Sequence, residues 1–291
     1  MNFLKTLFGG KSNKPEEPKK SQEKKDFDIL KYDGVRALKS GQVAYAVKCF
    51  QHALQIKDDL QLHDCLSQAY IATDQLPQAY EQLQKLADAQ PNNLDIFLRI
   101  AHVAYMMEDY LSMSSACEKA VLINNSHAET YYLYAKACKG QDDSANAIAM
   151  LTKAIKLKDD YLEAYLNRSE ILLENNDVAE AEQDANVLMQ QVPDNEDVLM
   201  LKARIEKAYQ HNENAIVFYT KAIDQNPFRT DAFSERAEAR KAVNDLKGAQ
   251  EDEQKAKELS IQQQKGCNEQ EVINKQKESY KNVDPFGIFG F

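Results

Sequence analysis

The residues able to ligate a metal or act as a nucleophile are few and scattered. Five histidines stand at His52, His63, His102, His127 and His211, and five cysteines at Cys49, Cys65, Cys117, Cys138 and Cys267. No two cysteines have C-x-x-C spacing, and no histidines have the H-E-x-x-H spacing that sets two imidazoles on one helical face. No G-x-S-x-G turn, P-loop or G-x-G-x-x-G run is present either. His63 reads as a packing histidine with one satisfied nitrogen. An odd number of unpaired-looking cysteines argues against a disulfide framework and fits a reducing, cytoplasmic compartment. The pattern leads us to expect no enzyme, no metal and no cofactor. The remaining chemistry is that of charges and aromatics, whose meaning depends on the elements that carry them.

Those elements are helical. The 291 residues are 43% hydrophobic and 28% charged, with only 9 Gly and 7 Pro. The net charge of −10 is uneven, because residues 1–26 are rich in lysine and the remainder is acidic. An acidic body lacks the clustered Lys and Arg that phosphate binding needs, so nucleic acid is not the expected partner. No apolar stretch is long enough to span a membrane, and the first eight residues are too short an apolar run for a signal peptide.

From residue 27 onward the chain repeats. Ala46, Ala79, Met113, Ala147, Ala181, Ala215 and Ala249 follow one another at a step of 33 and then five steps of 34. A fixed period of this length marks stacked helix–turn–helix units, none of which can bury its apolar face alone. Seven units are expected, at 27–59, 60–93, 94–127, 128–161, 162–195, 196–229 and 230–260. Each has a small residue at its eighth position (Gly34, Ser67, Ala101, Ala135, Ser169, Ala203, Ala237), where two helices must approach closely. Bulky residues hold most fourth positions (Leu30, His63, Phe97, Tyr131, Tyr165, Leu199, Phe233). Alanine or leucine holds the twenty-seventh, and Pro91, Pro193 and Pro227 stand where second helices should stop. In the last unit Glu253 and Arg240 replace apolar residues, as expected of a terminal repeat with one face in water.

This pattern resembles the tetratricopeptide repeat over about residues 27–260. The resemblance implies an all-α, right-handed α-solenoid of antiparallel helix hairpins, serving as a protein-interaction scaffold or adaptor. It also implies that the second, fifth, sixth and ninth positions of each first helix face a concave groove. On that register, six of seven second positions are acidic: Asp28, Asp95, Glu129, Glu163, Asp197 and Asp231. An acidic stripe for basic partners is one reading. The favoured one is that these acids offset the exposed N–H groups of a first helical turn. The middle of the groove offers donors and an aromatic, Arg99, His102, Tyr132, Lys136, Asn167 and Arg204, as candidates to hold an extended peptide or helix. An alternative is a chaperone-like or secretion and assembly accessory factor that shields an apolar client segment through Leu98, Leu133, Leu166, Met200 and Leu201. The Lys and Asn spacing by which some members of the family clamp chaperone tails is missing.

Both ends lie outside the array. Residues 1–26 read as a disordered basic segment carrying Phe3, Leu4, Leu7 and Phe8, whose weak contact with a membrane surface and whose docking in the groove both stay open. Residues 261–281 read as a polar capping helix opened by Ser260, and 282–291 as an apolar, phenylalanine-rich tail. Oligomeric state is left open.

Overall fold

The computed structural model describes residues 19–265, and the described residues form two compact units, one up to Ile96 and one from Phe97. Every described element is an α-helix. The first unit contains α1 (Lys19–Lys39), α2 (Val43–Ile56), α3 (Leu60–Ala72) and α4 (Leu76–Ala89). The second follows from α5 (Leu94–Met106) through α6 (Tyr110–Ile123), α7 (Ala128–Gly140), α8 (Ser144–Leu157) and α9 (Leu162–Glu174). It continues with α10 (Val178–Gln191), α11 (Glu196–Ala208), α12 (Asn212–Gln225), α13 (Thr230–Ala242) and α14 (Leu246–Lys265). Consecutive odd and even helices pair as seven hairpins.

The periodic alanines sit where helices cross. Ala46, Ala79, Ala147, Ala181 and Ala215 are fully buried, and so is Met113 in the slot where alanine is missing. Gly34 shows why the eighth position must be small: a Cβ there would stand 2.5 Å from the Phe50 ring. Between these crossings lie the large fully buried side chains, such as Leu83, Leu151, Leu199 and Tyr219, which fill the stacked layers. The second helices stop two residues before Pro91, Pro193 and Pro227, and equally before Asp58, Asn125 and Asp159. The single 33-residue step has a local cause, since the α2–α3 connection at 57–59 is one residue shorter than the connections that follow.

Each hairpin turns through one residue in the left-handed region. Gly41 (φ 76°), Asp74 (57°), Glu108 (56°), Asp142 (59°), Asn176 (67°), Gln210 (65°) and Asn244 (63°) recur at the repeat period. That backbone carries the chain from first to second helix in three residues. Glycine occupies it once; four of the others are Asp or Asn, the side chains that tolerate it best. Side-chain caps add to this: Asp59, Asp109, Asp143 and Asn195 each accept a backbone N–H of the helix they open.

Both ends of the array differ from the sequence expectation. Helix α1 begins at Lys19, inside the stretch read as linker, where Lys, Gln and Glu are good helix formers. Helix α14 runs unbroken through Ser260 to Lys265, so Ser260 caps no new helix. Apolar Ala256 and Leu259 stay buried against the preceding hairpins and carry the helix onward. The apolar residues of the first segment, Phe3, Leu4, Leu7 and Phe8, lie outside the described residues, as do Gly266 and the tail 282–291.

Candidate functional site

In the second unit, side chains of the first helices reach across from α5 to α7, from α7 to α9 and from α11 to α13. The six candidate residues are all on these helices, but they form two groups. In the first, the Asn167 amide on α9 donates to the Tyr132 hydroxyl on α7 (3.2 Å) and to the Glu163 carbonyl of its own helix (2.7 Å). Tyr132 also stands against Tyr161, ring centroids 5.1 Å apart. Lys136, one turn along α7, holds its ammonium 3.8 Å from the Tyr105 ring centroid on α5 and 5.9 Å from that of Tyr132. Cation–π attraction therefore positions a charge that is in ion-pair contact with no carboxylate among the described residues. Burial, followed by the nearby Glu163, pushes the Tyr132 hydroxyl up to about 12, so it stays a neutral donor.

At the edge of this group His102 on α5 lies 3.6 Å from Glu129 on α7. Arg99 is buried on α5, one turn before His102, so most of its side chain is packing surface.

The second group is organised by Arg204. Its guanidinium grips Glu235 on α13 through two nitrogens (2.9 and 2.7 Å) and reaches Asp231 at 3.4 Å. Hydrogen bonding to Glu235 raises its pKa further above the usual arginine range. The Tyr219 hydroxyl donates to the same carboxylate at 3.0 Å. Arg229 closes the lattice with bonds to Asp197 (2.6 Å) and Asp231 (3.1 Å). Second-position acids here do more than answer the helix dipole: Glu129, Asp197 and Asp231 each meet a cation or histidine of a neighbouring repeat or connection.

The apolar residues expected in the groove are mostly elsewhere. Leu98, Leu133, Met200 and Leu201 are buried, since the fifth and sixth positions turn into the interhelical seam when they are large and apolar. Leu166 alone of the five is partly exposed. Among the described residues no three His, Cys, Asp or Glu side chains converge as metal ligands, and no helix is long and apolar enough to cross a membrane.

Comparison with known proteins agrees with this architecture. A tetratricopeptide-repeat family model matches residues 139–205, spanning α8 to α11. A tetratricopeptide repeat protein from Parabacteroides merdae superposes with a TM-score of 0.65 at 15% identity, covering 87% of this chain and 97% of its own. Residues 139–205 thus match the tetratricopeptide repeat, and the rest of the described chain shares the fold of such proteins. PilW, a type IV pilus biogenesis factor, matches at TM-score 0.57 and 17% identity over 71% of this chain and 93% of its own. YrrB, a tetratricopeptide protein with an unusual peptide-binding site, matches at 0.51 and 14% over 61% and 91%. No curated protein matches in sequence.

The helical array also contains a device that involves the second helices. Arg168 donates to both carboxylate oxygens of Asp184 (2.8 and 2.6 Å) and to the Thr152 hydroxyl (2.9 Å). Two repeats later Arg236 does the same with Asp252 (2.9 and 2.7 Å) and Thr220 (3.0 Å). Each arginine ties its own hairpin to the preceding second helix. The signal was in the sequence as Thr, Arg and Asp at steps of 16, repeated after 68 residues. His63 was also underread: both ring nitrogens are bonded, to Gln82 and Asp58, each at 2.7 Å.

Proposed function

We propose that this protein is a non-catalytic adaptor that holds an extended segment or helix of a protein partner along its first-helix face. We place the contact at Tyr132, Lys136 and Asn167, with His102 and Arg99 beside them and Arg204 at one flank. The observation that carries this reading is Lys136. Its charge is held on aromatic rings rather than cancelled, next to an amide donor that is itself braced across two helices. A face already ordered in this way loses little entropy when a partner docks. PilW and YrrB share only the fold, yet one is a pilus biogenesis factor and the other has a peptide-binding site, which are the kinds of task proposed here. The cysteines favour a reducing, cytoplasmic setting: burial pushes Cys117 up to about 12, and Cys49, Cys65 and Cys138 are also free thiols. The apolar-client reading is the weaker one, because four of its five residues are buried.

The test is affinity purification with quantitative mass spectrometry, using the parent and a Lys136→Glu, Asn167→Ala double variant of equal melting temperature. The proposal expects a set of proteins retained by the parent and lost by the variant. Equal recovery of the same set would overturn it.

A further inference from the structure

Resting on the peptide-holding reading above, we propose that the cavity between α9, α11 and α13 receives a lysine or arginine side chain of the bound partner, with Glu170 as its counter-ion. The cavity measures about 600 Å³, within the usual range for a ligand pocket. Its walls combine apolar surface from Leu173 and Ala208 with the charges of Glu170, Glu174, Arg204, Lys207 and Glu235, while Leu201 and Tyr219 beside it are fully buried.

The decisive step is to ask which of these charges are already paired. Arg204 is bound by Glu235 and Asp231, and Lys207 by Glu238. Glu174 is bound by Lys139 at 3.1 Å. Glu170 makes no ion pair and no side-chain hydrogen bond among the described residues, although it is only partly exposed. Burial raises its pKa, and the more distant Lys139 and Arg204 only partly oppose this. The cavity therefore has one carboxylate whose charge is poorly compensated, above a lining that suits methylenes. Lysine and arginine supply both halves, an aliphatic stem to lie along Leu173 and Ala208 and a cation to meet Glu170. An acidic partner side chain would find both resident cations occupied.

The experiment is selection of a random peptide phage library on the full-length protein and, in parallel, on Glu170→Gln and Glu170→Lys. Because Glu170 has no partner to lose, the glutamine variant should fold as the parent does. The parent should select peptides sharing one fixed Lys or Arg; Glu170→Gln should lose that preference and Glu170→Lys should replace it with Asp or Glu. A synthetic consensus peptide should bind Glu170→Gln about tenfold more weakly than parent, and its norleucine analogue should bind the parent with the same deficit. A parent consensus without a fixed basic residue, or one unchanged by Glu170→Gln, overturns the pocket assignment alone. No enrichment, or binding indifferent to Lys136→Glu with Asn167→Ala, overturns the groove reading and the pocket with it.

Discussion

Lys136 and Arg204 occupy the same position of repeats four and six, yet they have opposite fates. The sixth position of the next repeat is Asn167 after Lys136 and Glu235 after Arg204. Where that residue is glutamate, the cation is captured in a two-pronged ion pair that staples α11 to α13. Where it is asparagine, the amide turns to Tyr132 and to its own helix, and the cation settles on the Tyr105 ring. The sixth-position residue thus goes with the fate of the cation before it, paired in one repeat and held on aromatic rings in the other. Beneath both stretches stands the same Thr–Arg–Asp device, at Arg168–Asp184 and at Arg236–Asp252, where Asp252 also meets Arg240 at 3.1 Å.

That shared device gives the largest expected effect. Asp184→Ala and Asp252→Ala each leave a guanidinium buried without its carboxylate, a loss of about 3–5 kcal/mol for a buried pair. Chemical denaturation should show the larger loss at Asp252, whose carboxylate holds Arg240 as well as Arg236. A loss below about 1 kcal/mol at Asp184 with the full loss at Asp252 would mean that the middle of the face rests on a different frame. Next in size is Glu235→Asn, which gives the C-terminal stretch the residue of the middle one. Arg204 and the Tyr219 hydroxyl lose their main acceptor. With solvent screening of this partly exposed pair, the cost should be about 1–2 kcal/mol by thermal or urea melting. Unchanged stability would show that Asp231 alone suffices to hold Arg204.

The hairpin turns supply a control that should treat both stretches alike. A side chain with Cβ in the left-handed region costs about 1–2 kcal/mol, while glycine gives up about 0.5–1 kcal/mol of chain entropy. Glu108→Gly and Gln210→Gly should therefore each stabilise by about 0.5–1 kcal/mol in the same melts. Asp142→Gly and Asn176→Gly should change less, because those residues tolerate the conformation. A loss at either Glu108 or Gln210 would show that its side chain does more than turn the chain.

The converse exchange, Asn167→Glu, should affect binding far more than stability. It offers Lys136 an ion-pair partner and imposes the C-terminal pattern on the middle of the face. Melting should move by about 1 kcal/mol, the worth of the Asn167 bond to Tyr132 that is lost, while partner recovery falls sharply. Retention of every partner by this variant would show that the difference between Lys136 and Arg204 has no role in recognition.

The frame was far more legible than the face. Alanine at the helix crossings and small residues at the eighth position recur because backbone approach leaves them no alternative, and their period survives in one sequence. The same register placed all six candidate residues on first helices but could not say which would be spent on neighbours. That outcome depends on residues 27–35 positions away, such as Glu235 for Arg204, and on whether Leu98 or Met200 tips into the seam. The Thr–Arg–Asp device was overlooked because its members lie on three helices, two of them second helices with no expected role in binding. Position within a repeat thus predicts burial well where size decides it, and poorly where pairing does.

Glu170 extends the comparison to a third case, a ninth-position residue that is neither captured nor braced. Its carboxyl is raised in the folded chain, mainly by burial, so the native state binds its proton more tightly than the unfolded state. Stability from this group is then highest when it is protonated and declines as pH rises from the ordinary carboxylate range through the raised folded value. At pH 7 the charged group is a net liability to the fold. Glu170→Gln should consequently melt higher than the parent at neutral pH, and the difference should close as pH falls below the ordinary glutamate range. Melting curves for both proteins across that interval test the sign directly. A variant less stable than the parent at pH 7 would mean that Glu170 already has a stabilising partner, and that the pocket is not waiting for one.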